Sequence, residues 1–436
     1  GLSQSPFPAT PPGQVPGQFM PIPVVPNPNT PGFGQSPFPA TPQPPLPGQV
    51  TPIPVVPNPN TPGFGQVPLF QPALQPWPPA PNSNLNRPTS PPTAQSPGRP
   101  LLPTTALTPG SLRFQGSFVN QGENSVARAR LDGNYVLTPQ FLFGATLDLT
   151  SENDQLVDSP NEGATINQLF FTAAPASTLP TLRFSVGQLD LTSYFDRNSF
   201  AKDGVSHFFN PVFQTNPALS ATAIASRPGL LVNWAVTDNI EGKVALFSSA
   251  ESLERFDLNG LAGEIGLRYD NVIVRGTYAS GRDGGANSGF REIFSIERGR
   301  DDFGINKNDD EEAFGVNGEV FIPELNMGIF GRYGVYRNRD LDEEGNTFSF
   351  GITFLDLFSK NDRVGLAYGR DLSNEELRQE NGDDVPDVLE LYYDFQFLPN
   401  VRLGFSLQQR NSLKETFAGF RLKTDFDVTP RGRLTQ

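Results

Sequence analysis

From residue 111 onward the chain writes one pattern sixteen times: about ten residues in which apolar or aromatic side chains alternate with polar ones. In one such stretch Leu389, Leu391, Tyr393, Phe395 and Phe397 alternate with Glu390, Tyr392, Asp394 and Gln396. In the next, Val401, Leu403, Phe405 and Leu407 alternate with Arg402, Gly404, Ser406 and Gln408. A strand sends successive side chains to opposite faces, so each stretch has one apolar and one polar face. No apolar run approaches the ~18–20 residues of a spanning helix, so any crossing of a membrane falls to strands.

The expected strands lie near 111–119, 126–137, 141–150, 165–174, 181–190, 227–237, 241–249 and 261–269. The rest lie near 271–279, 312–322, 325–336, 347–357, 362–370, 387–397, 400–410 and 416–426. What joins them alternates. Thr138-Pro139-Gln140, Asp238-Asn239-Ile240, Asp270, Pro323-Glu324, Ser359–Asn361 and Leu398-Pro399 are tight joints rich in Pro, Asn and Asp, as short turns require. Between them fall joints that are mostly long and polar, at 151–164, 191–226 (the least polar), 250–260, 280–311, 337–346 and 371–386, with 120–125 and 411–415 as shorter exceptions. Short turns on one rim and long loops on the other mark an outer-membrane barrel. A propeller would repeat near forty residues and none does so; a sandwich would not sort its joints by parity. The expectation is therefore an all-β fold: a transmembrane antiparallel β-barrel of sixteen strands over 111–436, with both termini on the short-turn, periplasmic side.

Sixteen strands enclose enough width for water. Charge must then point inward, because Arg or Lys at mid-bilayer costs about 2–4 kcal/mol. The parity obeys this: Arg128, Arg130 and Asp132 oppose Ala127, Ala129 and Leu131, and Arg421, Lys423 and Asp425 oppose Phe420, Leu422 and Phe426. The expected pore-lining residues are Arg128, Arg130, Asp132, Arg183, Glu264, Arg268, Arg332, Glu390, Asp394, Arg402, Arg421 and Asp425. Opposed charges across a lumen would orient dipolar solutes and tune ion preference.

The connection 191–226 is too apolar to wave in water. It is expected to fold into the lumen as a constriction, carried by Tyr194, Phe195, Asp196, Asn198, Phe200, His207, Phe208 and Phe209. The acidic run from Asp301-Asp302 to Asp309–Glu312 has no calcium-loop spacing and reads as solvated loop.

Residues 1–110 are a second region. They hold 34 of the 45 prolines, no acid, and only Arg87 and Arg99 as bases. The block Pro21–Gly34 returns unchanged as Pro52–Gly65. Proline lacks a donor and fixes φ, so the expectation is an extended, polyproline-II or disordered periplasmic segment. Reach is no obstacle to a docking role, on peptidoglycan or another envelope protein. The rest of the chain carries 30 bases and 46 acids, a net of −16, which argues against nucleic acid. Gly1 in place of Met, with no charged-then-apolar leader, reads as a mature secreted chain. With no cysteine and one histidine, a Ser-His-acid triad would have to use His207, so no enzyme is expected, and neither cofactor nor metal.

The stretches Tyr194-Phe-Asp-Arg-Asn-Ser-Phe-Ala-Lys-Asp203, Phe208-Phe-Asn-Pro-Val-Phe213 and Arg227-Pro-Gly-Leu-Leu-Val-Asn-Trp234 resemble the carbohydrate-selective porin family of the OprB type, cyanobacterial members included. The resemblance implies a sixteen-stranded outer-membrane barrel, an inward loop, and passive passage of sugars or small ions; a homotrimer is a candidate assembly. Cyanobacterial members carry a wall-binding module where this chain has its proline-rich segment. An alternative function is an envelope scaffold whose N-terminus docks on the wall.

Overall fold

The computed structural model describes residues 110–430, apart from 139, 152–161, 177, 178, 180, 203, 223, 250–256, 283–288, 300 and 301. The docking role expected of residues 1–110 and the acidic Asp301 lie outside the described residues, Gly110 aside.

Nine strands come first: β1 (Gly110–Gln121), β2 (Asn124–Thr138), β3 (Phe141–Thr150), β4 (Gly163–Ala173), β5 (Leu182–Asp190), β6 (Ser226–Ala235), β7 (Ile240–Phe247), β8 (Gly260–Tyr269) and β9 (Val272–Arg282). A small hairpin, β10 (Glu297–Gly299) and β11 (Asp302–Phe303), stands apart from the wall. Then follow β12 (Asp310–Ile322), β13 (Met327–Asn338), β14 (Glu343–Leu355), β15 (Arg363–Ser373), β16 (Asp387–Leu398), β17 (Val401–Arg410) and β18 (Glu415–Asp427). The sixteen wall strands pair antiparallel with their sequence neighbours, and β1 closes on β18 from Arg113 opposite Asp427 to Gln121 opposite Gly419. Every expected strand is present, with ends within four residues of the sequence reading. Closure leaves no free edge, so every wall strand has hydrogen-bonding partners on both sides.

Alternation sorts the side chains. On β3, Phe143, Leu147 and Leu149 are exposed on the outside while Thr146, Asp148 and Thr150 are buried inside. On β8, Ile265 and Leu267 are exposed and Glu264 is buried. The register shifts at several places, and the bulge in β4 is one of them: Thr146 and Leu147 pair with Gln168 and Ile166, so Asn167 is extra and lies buried beside Gln168.

Short joints hold one rim, among them the turn 356–362 and the 3₁₀ turn Pro323–Leu325, whose C-cap Asn326 is left-handed. In the first of these Asp362 accepts from the backbone N–H of Leu357, Phe358 and Ser359 at 2.7, 2.9 and 2.7 Å. Long joints carry structure of their own on the other rim. Residues 374–382 form α2 (Glu375–Asn381), opened by Asn374, which accepts from Leu377 N–H, and closed by left-handed Gly382. The 3₁₀ turn Arg291–Ser295 buries Ile293, and Glu292 of that turn accepts from Ser373 Oγ at 2.7 Å.

Candidate functional site

The connection between β5 and β6 folds inside the barrel. Its local structure follows from three Asx caps. Asp190 accepts from Thr192 N–H and opens the 3₁₀ turn Leu191–Ser193. Asn210 does the same for Pro211–Phe213, and Asn216 for α1 (Pro217–Ala221). The last two are Asn-Pro pairs: the side chain caps, and proline takes the position whose N–H has no helical partner. Asn198 receives both Phe200 N–H and Ala201 N–H, at 2.9 and 3.1 Å. Asp196 holds a left-handed φ of 49° while its carboxylate accepts from Asn216 N–H at 2.8 Å, tying the two ends of the loop together.

The aromatic residues face the wall. Phe195, Phe200, Phe208, Phe209 and Phe213 are at most 2% exposed, and Tyr194 and His207 are buried with them. Phe200 stacks on Phe321 of β12 at 6.2 Å, and Phe208 meets Phe330 of β13 and Tyr392 of β16 at 5.6 and 4.7 Å. These rings are the adhesive between loop and wall, which removes their apolar surface from water.

Charged wall residues hold the loop's backbone. Glu264 of β8 accepts from Asp196 N–H at 2.7 Å, and Glu390 of β16 accepts from Phe209 N–H and Asn210 N–H at 2.6 and 2.8 Å. Arg332 of β13 pairs with Asp196 at 3.0 Å and donates to the carbonyls of Phe213 and Ala201 at 2.8 and 2.5 Å. Arg421 of β18 donates to the carbonyls of Gly204 and His207 at 2.7 and 2.9 Å and pairs with Asp394 at 2.9 Å. A buried loop carries polar backbone that must find partners, and these wall charges supply them.

The remaining expected lining residues divide by position. Arg130 and Asp148 form a two-pronged pair at 2.5 Å between β2 and β3; Asp132 accepts from Thr146 at 2.8 Å, and Arg128 donates to Gln115 at 2.8 Å. Asp425 accepts from Gln115 at 3.1 Å. Arg402 joins Arg421 on Asp394, with its Nε at 2.6 Å. Arg183 lies half-buried on the same face as buried Ser185, opposite Asn233 of β6. Arg268 sits at the short-turn rim and donates to the Asp270 carbonyl at 3.3 Å, apart from Glu264. Where the sequence suggests charges opposed across a lumen, the pairs Arg130–Asp148, Lys243–Glu264, Arg275–Glu319 and Arg421–Asp394 run between strands on the same stretch of wall.

Sequence reasoning passed over several of these groups. Arg275 of β9 donates to the Arg197 carbonyl at 2.8 Å, Glu319 of β12 accepts from Ser199 N–H at 2.5 Å, and Asn317 bonds Asn198 at 2.8 Å. The signal was present, since Arg275 is the one charge between Val274 and Gly276 in an apolar strand. His207 and Lys202 are among the loop groups whose acidities are shifted. Burial, reinforced by Arg363, Arg421, Lys423 and Arg332, holds His207 well below the usual imidazole value, so it stays neutral. Burial pushes the Lys202 ammonium down to about 8, opposed by Asp196. Among the described residues no cluster of His, Asp or Glu is placed to hold a metal ion.

No protein-family model matches the chain, and no curated protein does. Solved structures match its shape. OprB of Pseudomonas putida, in a high-pH structure, is 13% identical, with 73% of this chain and 94% of that one covered and a TM-score of 0.50. OmpT of Vibrio cholerae is 11% identical over 73% and 96%, with a TM-score of 0.48. OmpF of Salmonella typhi, in complex with daunomycin, is 11% identical over 73% and 97%, with a TM-score of 0.48. With sixteen antiparallel strands closed edge to edge, and OprB as a match in shape, the fold of this chain is the porin barrel.

Proposed function

We propose that the chain is an outer-membrane channel through which small hydrophilic solutes diffuse passively, narrowed by the loop 191–225. The observation that carries this reading is the sorting of the wall: apolar side chains outside, charged and amide side chains inside, and one loop folded into the interior. An apolar exterior around a closed sheet suits a bilayer, and a polar interior suits water. The loop's short helical turns contact β6 and β12–β15. The inward side chains of β2–β4, including Arg128, Arg130, Asp132, Thr146 and Asp148, are polar and lie on the other side of the barrel. We take the solute path to run through the part of the interior that the loop leaves free, with sugars and small ions as the solute class. Gly110 enters β1 at the rim of the short turns, which we assign to the periplasm.

The test is planar-bilayer recording of the purified full chain, together with liposome swelling in a graded series of sugars. The reading expects stepwise currents and a sharp upper size for permeant sugars. It also expects both to grow when 197–215 is replaced by a short Gly-Ser link. A reconstituted barrel that passes neither current nor sugar overturns it.

A further inference from the structure

Glycine inside a strand costs stability, because it orders the most flexible backbone and offers no side chain to pack. On β12 and β13 the chain places glycines on both faces. Gly318 and Gly331 pair across the two strands and face outward; a Cβ on either would meet nothing within 4 Å. Gly315 and Gly334 pair across the same two strands and face inward, beneath α1. A Cβ at Gly334 would lie 2.2 Å from Asn216 Oδ1, and one at Gly315 would lie 2.8 Å from Leu219 Cδ1. Six residues before Gly334, a Cβ at Gly328 would lie 2.2 Å from two ring carbons of Phe200.

Neither Asn216 nor Phe200 is a loose side chain that could swing aside. Asn216 caps α1 through Ala218 N–H and donates to the Tyr333 carbonyl at 3.0 Å. Phe200 lies flat on Phe321, with 12° between the rings. Ordinary contact begins near 3.4 Å, so a methyl at Gly328 or Gly334 needs about 1.2 Å of room. The wall lies behind the methyl and the barrel axis in front, so the loop must yield toward the lumen.

We propose that Gly315, Gly328 and Gly334 are positioning residues for permeation: they set how close to the wall the loop sits, and so how wide a passage it leaves. The proposal rests on the reading that the loop narrows the lumen. It assigns aperture to wall positions that bear no side chain and touch no solute.

The experiment compares single-channel conductance and sugar size limit of G328A and G334A with G331A and G318A, in full-length protein. The inward substitutions are expected to lose conductance and to exclude smaller sugars. Their ion selectivity should stay close to that of wild type, since no charge is added or removed. The outward pair is expected to match wild type. Pairing G328A with F200A, which vacates the space, is expected to restore conductance. Should G328A fail to fold, recovery of folding in F200A/G328A supports the seat, and failure of the double variant overturns it. G328A and G334A that conduct like wild type also overturn it. Shortening 197–215 separates the two ideas. If shortening widens the channel while G328A changes nothing, only the glycine proposal falls; if shortening changes nothing, the constriction reading falls with it.

Discussion

Arg332 illustrates what the interior charges do. Its neighbours along the inward face of β13 are Gly328, Phe330, Gly334 and Tyr336, and each meets the loop or the long joint that holds the 3₁₀ turn Arg291–Ser295: Phe208 on Phe330, Phe290 on Tyr336. Arg332 itself serves loop carbonyls that no water reaches. Replacing it with Ala leaves Asp196 buried without that partner, and breaking a buried pair this way costs about 3–5 kcal/mol. R332A should lower the unfolding free energy of the detergent-solubilised barrel by an amount in that range, read as a lower urea midpoint, and R332K by less, because lysine keeps the charge but not the fork. The inward assignment of these charges was legible from alternation alone. Their partners were not: a period of two says which face a residue takes, not what stands opposite. The bulge at Asn167 escaped for a related reason, since an extra residue in one strand leaves no mark in composition.

At the scale of elements, sixteen strands could be read because each has one face that must be apolar and one that need not be, and because tight joints concentrate Pro, Asn and Asp. The long joints hid more. Residues 371–386 read as polar loop, yet Asn374 and Gly382 bracket α2 with a standard cap at each end. The loop 191–226 was legible as a segment that must hide from water, but not as one whose rings face outward to the wall; that depends on wall glycines far away in sequence. Turn chemistry yields a direct prediction. Asp362 satisfies three backbone N–H groups of the turn between β14 and β15. D362A should cost about 1–3 kcal/mol in unfolding free energy, the penalty for donors left unmet, read as a lower urea midpoint. D362N, which keeps an acceptor, should lose less.

For the whole molecule, the decisive property is that a closed wall and an inward loop form one packed body. Among the described residues, buried apolar side chains gather in two clusters, and each joins the loop to the wall: one around Leu191, Phe195, Leu219 and Phe247, the other around Phe200, Phe208, Phe213 and Phe330. The barrel therefore has its core where the loop meets the sheet, not between layers of secondary structure. That arrangement is tested most directly by a cross-link, in a chain that holds no cysteine of its own. Asn198 of the loop and Asn317 of β12 touch through their side chains at 2.8 Å. The N198C/N317C protein, folded in membranes and mildly oxidised, should form this disulfide in nearly every molecule while N198C/T146C, aimed at β3 on the other side of the lumen, forms none. No bond in the first pair, or an equal yield in the second, would contradict a loop fixed against β12 inside the barrel.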